Sequence, residues 1–154
     1  MATHLLSEQL AVVSVIDPAD RASGTTLGDV IDMQMHNKLM FIVAVGNIQK
    51  PNTIDFKVTE CATTGGTYVP ISGKSITQLT QAGTDHNKQA IINLDASELT
   101  TGCRYVKGRL YVAGVTGTGN NGQSVITLAG KTRYSDAATS TAYGDLSSVD
   151  EIVA

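Results

Sequence analysis

Tryptophan is missing from this 154-residue chain, phenylalanine and cysteine each occur twice, and proline occurs three times. With so few aromatic rings, a platform for stacking sugars has little to build on beyond Tyr105 and Tyr111, which a strand would place on one face. Two cysteines, Cys61 and Cys103, are too few for a disulfide scaffold and lack the paired spacing of a structural zinc site. They read as reduced thiols serving as small hydrophobes. Clustered basic charge is also missing. The net charge is −3, and Lys38, Lys50, Lys57, Lys74 and Lys88 stand singly among polar neighbours, which argues against a nucleic-acid partner. The longest apolar run, Leu39 to Val45, falls far short of the roughly 20 residues of a membrane-spanning helix. Met1 to Leu10 carries no positive start of a signal peptide, so synthesis in the cytoplasm and no membrane partner are expected.

What is present is β-strand material. Apolar residues make up 42% and charged residues only 16%, enough for one core with a surface rich in Ser, Thr, Asn and Gly. Ile54, Phe56 and Val58 alternate with Asp55, Lys57 and Thr59, the period-two pattern of a strand with one dry face and one wet face. Thr64-Gly65-Gly66-Thr67 follows as a tight-hairpin signal in which the glycines take positive φ, and Tyr68 to Ile71 returns as an edge strand. Further strands are expected at Leu10 to Ile16, Val30 to Met35, Leu39 to Val45, Ser75 to Leu79, Gln89 to Leu94, Arg104 to Ala113 and Ser124 to Ala129. Gly108 interrupts the apolar phase of Val106, Leu110 and Val112, marking a bulge or a close backbone approach. Asp95 caps at most one helical turn before Gly102. The spacing predicts an all-β, antiparallel sandwich or barrel over residues 10–130, with an N-terminal arm at 1–9 and a C-terminal arm at 131–154.

Motifs for chemistry fail one by one. Gly117-Thr118-Gly119-Asn120-Asn121-Gly122 matches the dinucleotide-binding pattern in letters, but Gln123 to Leu128 is strand-like where a helix must begin. Gly73-Lys74-Ser75 and Gly130-Lys131-Thr132 end like a phosphate loop, yet Tyr68 and Val125 stand where its first glycine belongs. His4, His36 and His86 lie far apart, with His36 read as a turn residue between strands, so no metal site or cofactor is expected. Asp55 and Glu60 are placed on or near the solvent phase of their strand, where a carboxylate has no raised pKa for proton transfer. No enzymatic activity is expected.

Two stretches carry a resemblance. DFKVTECATTGGTYVPI at 55–71 and IINLDASELTTGCRYV at 91–106 resemble the small head proteins of tailed bacteriophages that decorate or cement the capsid, with Gly102, Arg104, Tyr105 and Val106 matching the last strand of that pattern and LMFIVAVGN fitting an earlier one. Where such proteins often show Asp-Gly at the hairpin, this chain has Gly65-Gly66. The resemblance implies a jelly-roll-like β-sandwich on the outside of a virion. It would associate as a dimer or trimer and bridge neighbouring subunits of the major capsid protein. The contacts are then expected on the arms, at His4, Leu5, Leu6, Tyr134, Tyr143, Ile152 and Val153, whose apolar side chains sit in polar tails. A carbohydrate-binding or adhesion module is the alternative, and a small hydrolase on a sandwich is the third reading.

Overall fold

The computed structural model describes residues 9–114 and 122–130, and in these the apolar and polar pattern resolves into ten strands and a single 3₁₀ turn. The strands are β1 (Leu10–Ala19), β2 (Gly24–Leu27), β3 (Ile31–Asp32), β4 (Lys38–Val45), β5 (Thr53–Cys61), β6 (Val69–Ser75), β7 (Leu79–Thr80), β8 (Gln89–Asp95), β9 (Tyr105–Ala113) and β10 (Gln123–Gly130). One antiparallel sheet has the order β1-β10-β4-β8. The other runs β2-β9-β5-β6, with the short β3 on β9 and β7 on β5. The two sheets pack face to face as a β-sandwich.

The pairing is nested. β1 pairs with β10, β2 with β9, β4 with β8 and β5 with β6, so the chain is one long hairpin whose alternate rungs land in opposite sheets. Wrapping then creates the inner pairings β10 with β4 and β5 with β9. Leu10 and Gly130 are register partners, so the start of β1 and the end of β10 share one corner of the same sheet.

The inward positions supply the core: Leu39, Phe41 and Val43 from β4, Val125 and Ala129 from β10, Ile54, Phe56 and Val58 from β5, and Val106 and Leu110 from β9. Phe41 and Phe56 meet across the two sheets with ring centroids 5.7 Å apart and planes tilted by 48°, a favourable aromatic geometry. Gly108 makes room for them. A Cβ there would stand 2.8 Å from Phe56 Cζ and 3.6 Å from Phe41 Cε1. The β5–β9 register runs unbroken through Val58 and Gly108, so the glycine marks a close approach and not a bulge.

Several expectations need correction. Val30 to Met35 is a strand only at Ile31–Asp32, because the Gln34 N–H donates to Asp32 Oδ1 at 2.9 Å and the Met35 N–H to the Asp32 carbonyl at 3.0 Å, which turns the chain. Ser75 to Leu79 divides between the end of β6 and the two residues of β7. β2 lies in Gly24–Leu27, which is not among the expected strands and pairs with β9. β1 runs past Asp17-Pro18 to Ala19 as an edge strand, the position where proline costs no ladder bond. The β5–β6 tip spans Ala62 to Tyr68, and neither Gly65 nor Gly66 takes positive φ. Gly66 is needed for space instead, since a Cβ would fall 2.5 Å from Cys61 Sγ. The turn after Asp95 forms as expected, as a 3₁₀ turn at Ala96–Glu98 with a reciprocal capping box between Asp95 and Glu98.

The aromatic seam yields the first prediction. Gly108→Ala is expected to lower unfolding free energy by about 1–3 kcal/mol through overpacking, and Phe41→Ala by about 3–5 kcal/mol through cavity formation, both read from urea denaturation.

Candidate functional site

The expected contact residues His4, Leu5, Leu6, Tyr134, Tyr143, Ile152 and Val153 all lie outside the described residues, as do the two arms apart from Gln9. Among the described residues, the features that stand out are the two outer faces of the sandwich, and they differ in kind.

On the β1-β10-β4-β8 sheet, β4 is apolar on both parities after Lys38, and β10 turns Ile126 and Leu128 outward. Register aligns Val15, Ile126, Ile42 and Ile91 in one row across all four strands. Ile91 is 58% exposed and Ile126 42% exposed. The next row holds Val12, Leu128, Met40 and Asn93, and on the other side stand Ser124, Ala44 and Gln89. A register shift between Val12 and Ser14 lets Val12 and Val15 both face outward while Val13 and Ser14 are buried. No charged side chain projects from these strands between Asp17 at one end and the Lys38–Asp95 pair at the other. With strands about 4.8 Å apart and roughly 20 Å long, the plateau covers about 400 Å², within the range of patches that are often functional. The signal in the sequence was the unbroken run Leu39 to Val45. A one-sided sheet should alternate there, and it does not.

The other sheet is wet. β9 turns Lys107, Arg109 and Tyr111 outward, and β5 turns Asp55 and Lys57 outward, as the alternation predicts. Lys107 Nζ lies 4.5 Å from the centre of the Tyr68 ring. A groove of about 500 Å³ runs between this face and the arch of β6, lined by Asp55, Lys57, Ile71, Ser75, Arg109 and Tyr111 among others.

The residues weighed for chemistry have structural duties. Glu60 is buried, against the expectation of a solvent-phase carboxylate. The loop after the 3₁₀ turn folds over it, and its oxygens accept the Thr100 N–H at 2.9 Å and the Thr100 hydroxyl. Lys74 pairs with Glu98 at 2.7 Å and donates to the Asn93 carbonyl, so the Gly73-Lys74-Ser75 fragment ties β6 to β8. Gly117 to Asn121 lies outside the described residues, but Gln123–Gly130 is a strand and opens no helix. Cys61 and Cys103 are both free thiols. Burial, with Glu60 and Cys61 nearby, pushes the Cys103 thiol above its ordinary pKa, the wrong direction for a nucleophile. His86 accepts the Ile48 N–H on Nδ1 at 3.0 Å. Among the described residues no group of three or more His, Cys, Asp or Glu gathers to hold a metal ion, and no helix is long and apolar enough to cross a membrane.

Arg104, one of the residues of the Gly-x-Arg-Tyr-Val element, clamps Asp32 with Nε on Oδ1 at 2.7 Å and Nη2 on Oδ2, pinning β3 to the start of β9. Val106 is core and Gly102 takes φ +91 at the turn before it. The Arg104 hydrogen bond holds the Asp32 carboxyl below its ordinary range. His36, in the turn between β3 and β4, is buried. Desolvation lowers its pKa, and the Asp32 charge opposes this without reversing it. No protein-family model matches the chain, and no curated protein matches it.

Both shifted groups make the fold acid-sensitive. Below the ordinary histidine value of 6.5, the unfolded chain takes up a proton that folded His36 refuses, so its contribution is complete above that pH and declines below it. The contribution of Asp32 is complete above its ordinary value of 3.8 and is lost as pH falls through the lowered folded value. The urea midpoint is therefore expected to drop between about pH 7 and about pH 5, and His36→Phe is expected to flatten that drop. An unchanged slope in the variant would remove His36 from the account.

Proposed function

We propose that this chain is a non-enzymatic structural protein that binds the outside of a tailed-bacteriophage capsid and cements neighbouring subunits of the major capsid protein, with the apolar β1-β10-β4-β8 face as its docking surface. The observation that carries this is the row Val15, Ile126, Ile42 and Ile91, which leaves an uncharged plateau facing outward on a sandwich whose other face is charged. Such a surface loses water gladly and offers a neighbour apolar area without unpaired charge.

The size of the plateau favours a lattice partner. About 400 Å² is half of what one side of a standard stable interface buries, roughly 800 Å². A single contact of that size is weak, but a clamp spanning two subunits of a repeating shell gains avidity. If the paired surface exists only in the expanded shell, binding stabilises that state by linkage. The chain enters at Leu10 and leaves at Gly130 on one corner of this sheet, and the arms' expected contact residues would add area for a neighbour, for another copy of the chain in a dimer or trimer, or for both. The nested pairing also supports a jelly-roll reading, because an eight-stranded long hairpin rolled into two sheets gives this strand order when the two-residue β3 and β7 are set aside. The resemblance at Asp55 to Ile71 and Ile91 to Val106 points the same way.

Co-sedimentation with mature phage shells tests the proposal. The full chain is expected to pellet with shells in fixed stoichiometry, and Ile91→Asp and Ile126→Asp, both at exposed positions, are expected to fold normally and bind at least about tenfold more weakly. Binding of both variants at the level of the parent chain would overturn the assignment of the plateau. No binding by the parent chain would overturn the capsid reading itself.

A further inference from the structure

The groove on the β2-β9-β5-β6 face has its own electrostatic peculiarity. Lys57 and Arg109 are direct cross-strand partners in the β5–β9 register. Like charges directly opposite one another destabilise an antiparallel pair. Among the described residues neither has a carboxylate partner, whereas cations elsewhere on the molecule do. Lys74 takes Glu98, Lys88 takes Asp85 and Arg104 takes Asp32. Asp55, the carboxylate of the groove, accepts instead from Gln78 Nε2 at 2.8 Å. Arg109 is poorly satisfied as well. Its Nη2 reaches Thr25 Oγ1 only at 3.5 Å, and its buried Nε meets no acceptor.

The groove is large enough for a small molecule. The groove measures about 500 Å³, inside the range of ligand pockets. Its lining is more polar than apolar, with Pro70, Ile71 and Ile76 beside Asp55, Ser75 and the two cations. Tyr111 stands at its edge with 41% of its surface exposed, offering a ring face.

We propose that this groove binds an acidic sugar, a polyhydroxylated ring bearing one carboxylate. The carboxylate bridges Lys57 and Arg109, turning a repulsive pair into a charge-assisted clamp, and draws the guanidinium of Arg109 into the groove, where its N–H groups find acceptors. The ring lies on Tyr111, and its hydroxyls meet Asp55 and Ser75. The site is on the sheet opposite the apolar plateau, so it stays open whether or not that plateau is docked, and the proposal stands or falls without the capsid reading.

Titration of the full chain with glucuronate, followed by amide chemical shifts, is the test, with glucose, acetate and inorganic phosphate in parallel. Saturable shifts confined to β5, β6 and β9 are expected with glucuronate and none with glucose. Lys57→Gln and Arg109→Gln are each expected to weaken binding by about tenfold or more. Tyr111→Ala should weaken glucuronate and leave acetate unaffected. Without ligand, Lys57→Gln is expected to raise the urea midpoint, because it removes the like-charge pair, and a fall would overturn the electrostatic premise. Equal affinity for glucuronate, acetate and phosphate would overturn the sugar assignment, and no saturable binding of glucuronate would overturn the site.

Discussion

The contact of Phe41 with Phe56 across the gap between the sheets, seated over the bare backbone of Gly108, is the interaction on which this sandwich depends. A long hairpin folded over on itself has no fixed thickness until something bulky spans it, and the chain has only these two phenylalanines to do so. One comes from β4 and the other from β5, the strands that each sheet gains as an inner neighbour when the hairpin wraps. The seam therefore couples the two pairings that local sequence does not bring about, β10 with β4 and β5 with β9. Aliphatic side chains make up the rest of the core around it.

With the interior settled in this way, the two outer faces are free to differ. The face carried by β1, β10, β4 and β8 is apolar and uncharged across its middle, whereas the face carried by β9 and β5 bears Lys107, Arg109, Lys57 and Asp55. A sandwich whose outer faces both met water would carry alternating strands in both sheets. This asymmetry is the physical basis of the two proposals, a protein partner on one side and a small polar ligand on the other. Among the described residues, three ionisable groups are held in structural bonds: Glu60 on Thr100, Asp32 on Arg104, His86 on Ile48. These fix the connections, and the His36–Asp32 corner makes their hold weaken toward acid.

The alternation in β5 was legible residue by residue, as was the capped turn after Asp95, and Gly108 was marked as a bulge or a close approach until the unbroken β5–β9 register decided for the second. Where local chemistry and tertiary pairing compete, the reading was poorer. Gly24–Leu27 has no strand signal of its own and becomes a strand because β9 offers it a ladder, while Val30 to Met35 has the composition of a strand but is bent by the Asp32 side chain. Glu60 falls at the end of an alternating run, and only the loop that closes over it decides that it is buried. The apolar plateau left a trace in the unbroken run Leu39 to Val45. The groove left none, because Lys57 and Arg109 are 52 positions apart in the chain.

By itself, then, the sequence determined that the chain forms antiparallel strands around one core, since period-two wetting is a property of neighbouring residues and needs no partner to be seen. The tertiary structure alone decided which strands pair, which face of each sheet stays uncovered and which distant charges stand opposite one another. Those depend on register between segments far apart in the chain, and a shift of one residue would send every side chain of a strand to the other face.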